Sequence, residues 1–238
     1  MGVAAADLVS AAIFAAIQRH DTANVVLAAA NSQLTFLRAL RTAEGLPWEA
    51  VTLFQMDEYL DLDPEHDARL AAFLRRELVD HVRLGTFHAL PGSERDVDQA
   101  CGEYDAMLRS HPLDVCVLGI GENGHLAFND PPGVRFDDPQ WVKMVRIDER
   151  SRAQQVGEGH FPRLDSVPQR AVTLTVPALV SAKTVLCLVP ESRKAAAIRQ
   201  TLLGPIDPSC PASILRRTPH ATLFLDFDSA GSTLDELK

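Results

Sequence analysis

Three polar residues stand in or just after a glycine-rich turn in the middle of the chain. The turn reads GIGENG over residues 119–124 and includes Asn123; His125 follows directly, and Asp130 comes shortly after. Histidine can move protons near neutral pH, and a neighbouring carboxylate can hold its imidazole in one tautomer. We therefore predict that Asn123, His125 and Asp130 belong to a catalytic site for proton transfer.

The same turn also fits the GxGxxG pattern of dinucleotide-binding proteins. In those proteins the pattern opens a helix, and an acidic residue that binds the ribose follows about 20 positions later. Here the chain continues HLAFNDPP over residues 125–132, and the two prolines exclude a long helix. We therefore expect no nicotinamide or flavin cofactor, and we expect the glycines to let the backbone turn tightly beside a ligand.

A further candidate, Asp57, stands just after a run of apolar residues at 51–54. If that run is a buried strand, Asp57 lies at the edge of the sheet where ligands bind and can act as a general base. The adjacent Glu58 would then raise the pKa of Asp57. The alternative is an aspartate that begins a loop and caps the next segment.

These residues must be positioned by strands that alternate with helices. Short apolar runs predict buried strands at 24–27, 51–54, 115–118, 171–176, 184–189 and 221–225. Apolar residues at helical spacing predict helices over 1–19, around 34–40, over 65–82, from a Ser93 cap to about 108, and over 192–203. Such alternation predicts the α/β class, as a three-layer Rossmann-like arrangement with a mostly parallel sheet and one domain over residues 1–238.

Polar clusters are expected to meet at one edge of this sheet. Ligands of such folds bind at the carboxyl ends of the strands, and the polar segments 30–33, 56–59, 121–130 and 191–194 all follow predicted strands. The irregular stretch 128–140 is rich in Pro, Gly and Asp, which is typical of a lid or binding loop.

Composition excludes several classes of protein. The formal net charge of −9 argues against a broad basic surface, so we expect no nucleic-acid partner. The four cysteines form no CxxC pair, which favours free thiols in a reducing cytoplasm over disulfides or zinc. Residues 1–19 lack a basic region before their apolar part, so we expect an amphipathic helix, neither a signal peptide nor a membrane anchor. The oligomeric state stays open.

Three segments together resemble the glucosamine-6-phosphate deaminase family. They read FQMDEY over 54–59, LGIGENGHLAFNDP over 118–131, and PASIL over 211–215. The likeness extends from about residue 23 to residue 226, and the combination of the MDEY and GENGHLAFND elements is more specific than either element alone.

The resemblance implies an aldose–ketose isomerisation with loss of ammonia, in which glucosamine 6-phosphate becomes fructose 6-phosphate without metal or other cofactor. It implies that Asp57 takes the proton from C2 and returns it at C1, and that His125 helps to open the sugar ring, supported by Asn123 and Asp130. A carboxylate near an acidic C–H bond is a competent base where water is excluded.

Two other functions stay open. A sugar-lactone hydrolase resembling 6-phosphogluconolactonase shares the fold and a similar turn, although Asn123 and the FNDP continuation at 128–131 favour the deaminase. A non-catalytic sensor of sugar phosphates is the third possibility.

The resemblance also implies an anion site for the phosphate of the substrate. Lys194 matches the phosphate-binding lysine of the family, and we expect it to act with Asn31 and Ser32. Arg152 or His160 would complete the site.

Three positions depart from the family pattern. Ala30 stands where the family usually has glycine, and Asp130 where it commonly has glutamate. The phosphate-binding arginine of the family is expected near residues 156–160, and none is present there. We therefore expect weaker phosphate binding than in a typical member, or a substrate whose anionic group sits differently.

Overall fold

The computed structural model describes residues 1–92 and 96–236, and in this part of the chain six strands form one parallel sheet. All strands, numbered along the chain, are β1 Ala23–Leu27, β2 Val51–Gln55, β3 Asp57–Tyr59, β4 Thr86–His88, β5 Val115–Leu118, β6 Val142–Arg146, β7 Arg170–Leu174, β8 Thr184–Val189 and β9 Ala221–Leu225. The order in the large sheet is β4-β2-β1-β5-β8-β9, and every neighbouring pair is parallel. The predicted α/β class with a mostly parallel sheet is confirmed.

A smaller antiparallel sheet, with the order β3-β7-β6, lies beside the large one in the described part of the chain. The strand predicted at 171–176 exists as β7, but it belongs to this smaller sheet. The sequence analysis did not predict β3 and β6. Polar and charged residues interrupt both of them, and β6 is buried only at some positions, so neither reads as a continuous apolar run.

The helices lie on both faces of the large sheet. Numbered along the chain, those in the described residues are α1 Gly2–His20, α2 Leu34–Arg41, α3 Leu70–Glu77, α4 Val97–Ser110, α5 Glu149–Gly157, α6 Val176–Val180, α7 Ala195–Leu203, α8 Phe227–Ala230 and α9 Thr233–Glu236. One apolar cluster joins the sheet to α1, α2 and α3, and another joins it to α4, α6 and α7. This arrangement confirms the three predicted layers.

Three predicted helices begin later than predicted. Helix α7 begins at Ala195, because residues 192–194 form a 3₁₀ turn. Helix α3 begins at Leu70 rather than near residue 65, because the carboxylate of Glu58 accepts the backbone N–H groups of Leu70 and Ala71 and fixes the first turn there. Ser93, the predicted cap of α4, lies outside the described residues. The observed N-cap is Asp96, whose side chain accepts the N–H of Gln99.

Helix α1 packs into the domain. Ala5, Val9, Ile13 and Ala16, at helical spacing, are fully buried against the sheet and α2. By length and hydropathy alone α1 is also long and apolar enough to cross a bilayer, contrary to the expectation from the sequence, and core helices of soluble proteins share these properties.

The topology defines where a ligand can bind. From β1 the chain moves to β2 on one side, whereas from β5 it moves to β8 on the other, so the direction reverses between the adjacent strands β1 and β5. Ligands of open α/β sheets bind in the crevice at the carboxyl ends of the strands at such a point.

Candidate active site

An open cleft of about 720 Å³, counting the solvent at its mouth, lies at the carboxyl ends of β1, β2, β5 and β8. All four predicted polar segments contribute to it. Its lining comprises Ala28, Ala29, Ala30, Ser32, Met56, Asp57, Tyr59, Leu70, Gly119, Ile120, Gly121, His125, Ala127, Phe128, Gln154, Gln155, Glu158, Pro190, Glu191, Arg193 and Lys194.

Asp57 is a buried carboxylate on one wall of the cleft. It belongs to β3, where it pairs with Thr173 of β7, and only 9% of its surface is exposed. Burial, and secondly the negative charge of Glu58, raise the pKa of Asp57 to about 7. A carboxyl group with this pKa is partly ionised at neutral pH and basic enough to take a proton from carbon.

The neighbouring Glu58 points away from the cleft and joins β3 to α3. Its Oε1 accepts the N–H groups of Tyr59 at 2.8 Å and Leu70 at 3.1 Å, and its Oε2 accepts that of Ala71 at 3.0 Å. Arg69 lies 3.5 Å away. Glu58 therefore acts on Asp57 through its charge, while its hydrogen bonds hold the strand that carries Asp57.

The glycines of the 119–124 turn make room for His125. Gly121 donates its N–H to the carbonyl of His125 at 3.0 Å, and a Cβ at Gly121 would come within 2.1 Å of the imidazole. Gly124 has φ +84°, which favours glycine. Residues 119–141, all of which are described, contain neither a helix nor a named strand. The turn therefore seats an imidazole and lacks the helix of a dinucleotide site.

A hydrogen-bonded network holds the His125 ring from behind. Nδ1 of His125 lies 3.2 Å from Oδ1 of Asp130 and 2.8 Å from Oγ of Ser151, and Ser151 also donates to Asp130. Burial alone would raise the pKa of Asp130, but hydrogen bonds from His125, Ser151 and the N–H of Asp148 hold it at about 2. Asp130 is therefore a carboxylate that favours a proton on Nδ1 of His125.

Asn123 supports the same network without reaching the cleft. Its Oδ1 accepts the N–H of His125 at 3.1 Å, and its Nδ2 donates to Asp130 at 3.1 Å and to Ser151 at 3.3 Å. The structure thus brings Asn123, His125 and Asp130 together, with His125 on the cleft and the other two behind it. Ser151 was missed because it lies on α5, a polar helix that shows no apolar stripe in the sequence.

The other end of the cleft carries two cations. Lys194, at the end of the short 3₁₀ turn Ser192–Lys194 after β8, is 5% exposed and lines the cleft with Ser32 and Arg193. Burial lowers the pKa of Lys194, partly offset by the charges of Glu158 and Glu122. The sequence analysis missed Arg193, although it directly precedes Lys194.

Three of the predicted phosphate ligands, Asn31, Arg152 and His160, do not line the cleft. Asn31 donates its side-chain N–H to the backbone carbonyl of Glu158 at 3.2 Å. Arg152 donates to the carbonyls of Leu164 at 2.7 Å and Val167 at 2.9 Å, so its guanidinium stabilises a loop outside the cleft. The prediction that Arg152 completes the anion site is therefore corrected.

His160, the alternative to Arg152, lies with its Nε2 3.6 Å from the Glu158 carboxylate. Glu158 itself lines the cleft with a side chain that is 6% exposed, and its Oε1 lies 3.8 Å from Nζ of Lys194 and 3.5 Å from Nη2 of Arg193. Burial would raise the pKa of Glu158, but His160, Lys194, Gln154 and Arg193 lower it, so the side chain is charged. The end of the cleft that carries Lys194 and Arg193 therefore also contains a carboxylate.

Two buried donors at the cleft lack an acceptor within the part of the chain that the structure describes. They are the hydroxyl of Tyr59 and Nε of Arg193. Buried polar groups without a partner are rare, so both donors are available to a polar ligand in the cleft. Among the described residues no group of three His, Cys, Asp or Glu side chains is arranged to hold a metal ion.

Comparisons with known proteins identify the family to which the chain is similar. The model of a family described as glucosamine-6-phosphate isomerases/6-phosphogluconolactonase matches residues 1–224. A glucosamine-6-phosphate deaminase from Exiguobacterium sibiricum is 36% identical over 188 residues, which cover 79% of this chain and 73% of that protein. One from Bacillus cereus is 30% identical over 210 residues, covering 88% of this chain and 78% of that protein.

Solved structures show the same fold. A monomeric glucosamine-6-phosphate deaminase superposes with a TM-score of 0.86 at 26% identity, covering 96% of this chain and 94% of that one. A 6-phosphogluconolactonase from Leishmania guyanensis superposes with a TM-score of 0.77 at 20% identity, covering 97% and 93%. Because the family model spans nearly the whole chain and curated relatives reach 36% identity, the chain belongs to the glucosamine-6-phosphate isomerase/6-phosphogluconolactonase family of enzymes.

Proposed function

We propose that the protein is an amino-sugar phosphate deaminase that converts glucosamine 6-phosphate and water into fructose 6-phosphate and ammonia. The observation that carries this proposal is the buried carboxylate of Asp57, whose pKa is raised to about 7, in the same cleft as His125. The deaminase relatives described above support the choice of reaction within the family.

Asp57 is the base for the isomerisation. In the open-chain sugar the C1 aldehyde acidifies the C2–H bond. Asp57 takes this proton, the C–H electron pair forms a C1=C2 double bond, and the π pair of the C1 carbonyl moves to O1, which takes a proton from water to give an enolamine. Asp57 then returns its proton to C1 while the nitrogen lone pair forms a C2=N bond, and the nitrogen releases a proton to water, which leaves an imine at C2. Water adds to C2 and ammonia departs, so the water oxygen becomes the ketone oxygen. One carboxyl group serves both proton transfers because its pKa is close to the working pH.

His125 serves the earlier ring opening. Its Nδ1 is held by Asp130 and Ser151, so the other ring nitrogen, Nε2, is the one left to exchange a proton with the sugar. Ring opening requires a proton to leave the C1 hydroxyl and another to reach the ring oxygen, which an imidazole can mediate by taking one proton and giving another.

The first experiment measures ammonia release from a panel of amino sugars with and without phosphate. We expect ammonia from glucosamine 6-phosphate, together with fructose 6-phosphate in equal amount. Acid release from 6-phosphogluconolactone without ammonia from any amino sugar would show a lactone hydrolase instead. Binding of the sugar phosphate without turnover would show a sensor.

A second experiment tests the ring-opening role with His125→Gln. We expect turnover of the closed-ring sugar to fall by roughly 10² to 10⁴-fold, the usual effect of losing an acid–base group. A substrate analogue that cannot close its ring should recover part of the rate. An equal loss with both forms would contradict the ring-opening role.

We further propose that the enzyme works in the cytoplasm on this small molecule and binds neither nucleic acid nor membrane. The net charge of −9 supports this, and so do the four cysteines, which are buried free thiols. The burial of one face of α1 in the domain is consistent with it.

A further inference from the structure

Glu158 occupies an unfavourable position for a carboxylate. It is the C-cap that directly follows the last residue of α5, at the end where the aligned peptide dipoles place partial negative charge, and its side chain is 6% exposed. A buried charge is costly unless it is paired. The Glu158 carboxylate is held there by Lys194, Arg193 and the amide of Gln154, which donates to it at 2.7 Å.

The two cations of the cleft are shared among more carboxylates than they can neutralise. Arg193 lies 3.5 Å from Glu158, 2.6 Å from Glu191 and 3.7 Å from Glu122, and Lys194 lies 3.8 Å from Glu158. Among the described residues, this cluster has two positive and three negative formal charges, which sum to −1. His160 next to Glu158 would bring the sum to zero only if it were protonated.

We propose that Glu158 is a specificity-determining residue that competes with the phosphate of the substrate for Lys194 and Arg193. This inference rests on the proposed function and deepens it, since it names the group that limits how strongly the enzyme prefers phosphorylated amino sugars. A phosphate bound to Lys194 and Arg193 would lie close to the Glu158 carboxylate, and the two negative groups repel each other. The phosphate must therefore displace the carboxylate or bind beside it at a cost in affinity.

The site nevertheless retains donors for an oxygen-rich ligand. Nε of Arg193 and the hydroxyl of Tyr59 are both buried without an acceptor among the described residues. A sugar bearing hydroxyl groups can satisfy these donors without a full negative charge. Glu158 therefore sets a balance in which unphosphorylated glucosamine is a comparable substrate to glucosamine 6-phosphate.

The test uses Glu158→Gln with Glu149→Gln as its matched control. Glutamine keeps the shape of the side chain and an oxygen that can accept from Gln154, while it removes the charge. Glu149 is an exposed residue in the first turn of the same helix, so its substitution removes an equal charge far from the cluster.

Two quantities are measured for each protein. The first is the ratio of kcat/KM for glucosamine 6-phosphate to kcat/KM for glucosamine, from ammonia release. The second is the Kd of inorganic phosphate by calorimetry. For Glu158→Gln we expect the ratio to rise and the Kd to fall, each by roughly 10-fold to 100-fold, the usual effect of one charge-assisted contact. Glu149→Gln should change neither quantity.

An unchanged or smaller ratio, or an unchanged or weaker phosphate affinity, in folded Glu158→Gln would overturn the proposal and leave Glu158 as a residue that orients the two cations. If the variant does not fold, the proposal is tested by the ratio of the two kcat/KM values in the wild type. Values for the two sugars within about tenfold of each other support competition, and a preference for glucosamine 6-phosphate above about 10³-fold contradicts it. If the wild type releases ammonia from neither sugar, the proposed function fails, while phosphate titration still tests Glu158 by itself.

Discussion

Replacing Asp57 by asparagine is expected to remove activity and to make the protein more stable above neutral pH. In the folded protein the Asp57 carboxyl group is buried beside Glu58, so its charged form is disfavoured and its pKa rises from 3.8 to about 7. In the unfolded chain the same group is hydrated and ionises at its ordinary pKa. Asparagine has a similar shape and carries no charge.

The magnitude follows from the pKa difference. A shift of about three units corresponds to about 4 kcal/mol, at about 1.36 kcal/mol per unit. Because the folded state binds the proton more tightly, the unfolded state loses its proton first as the pH rises. The free energy of unfolding therefore falls as the pH rises from about 4 to about 7 and stays low above that range. Asp57→Asn avoids this loss, so its stability gain is up to about 4 kcal/mol at pH 8 and vanishes towards pH 4.

The assay is reversible unfolding of the wild type and Asp57→Asn at pH 8 and pH 5, with Asp67→Asn as a control. Asp67 is exposed, so its substitution should alter stability by less than about 0.5 kcal/mol at either pH. For a chain of this length, the expected gain raises Tm by roughly 8–15 °C at pH 8. Ammonia release by Asp57→Asn should fall by roughly 10² to 10⁴-fold.

Two results would refute this reasoning. If Asp57→Asn were no more stable than the wild type at pH 8, or gained equally at pH 5 and pH 8, the carboxyl group would not have a raised pKa. If the folded variant kept wild-type turnover, Asp57 would not be the base.

Three further outcomes are expected. The value of kcat/KM should rise about tenfold per pH unit up to about pH 7 and then level off, since Asp57 must be deprotonated to act as a base; a flat profile of ammonia release from pH 5 to 9 would contradict this. Ser151→Ala removes the hydroxyl between His125 and Asp130, so kcat/KM should fall about tenfold in steady-state kinetics and the free energy of unfolding by about 1–2 kcal/mol in denaturant titration. Unchanged kinetics would exclude an orienting role for Ser151. Lys194→Ala should raise KM for glucosamine 6-phosphate by roughly 10 to 150-fold but leave that for glucosamine similar; a strong phosphate preference that survived the substitution would place the anion site elsewhere.

The strands of the large sheet are predictable from sequence because both faces are covered. A strand between two layers of helices is apolar at nearly every position, as in VCVL of β5 and TVLCLV of β8, and both were predicted with their observed bounds. Strand β6 is only partly buried and contains Lys143 and Arg146, so its sequence carries no such signal. Its place is fixed instead by pairing with β7.

The candidate site likewise has one part that the sequence predicts and one part that it does not. Asn123, His125 and Asp130 lie close together in sequence, so one turn suffices to bring them together, and their grouping could be foreseen. Contacts between distant segments could not be foreseen. The pairing of Glu158 with Lys194 depends on how α5 packs beside the loop after β8. Nothing in the sequence of either segment predicts that the two come into contact.

The contribution of α5 to the site was not predicted, although the sequence of this helix carries a recognisable signal. Ser151, Gln154, Gln155 and Glu158 follow one another at helical spacing, so they form one polar face. Ser151 contacts His125, and the other three line the cleft. Arg152, one position after Ser151, lies about 100° around the helix and turns away from the cleft, since an α-helix has about 3.6 residues per turn.

A polar helical face is usually assigned to solvent, yet on α5 it is the face directed at the cleft. The seven steps along the chain from Ser151 to Glu158 span about 10 Å at about 1.5 Å per step, so one rigid helix sets the separation between the His125 network and the cation pair. A change that shortened or rotated α5 would therefore alter both ends of the cleft together. It follows that the charge at position 158 belongs to the reactive site rather than to the surface. The proposal that Glu158 competes with the phosphate of the substrate rests on this placement.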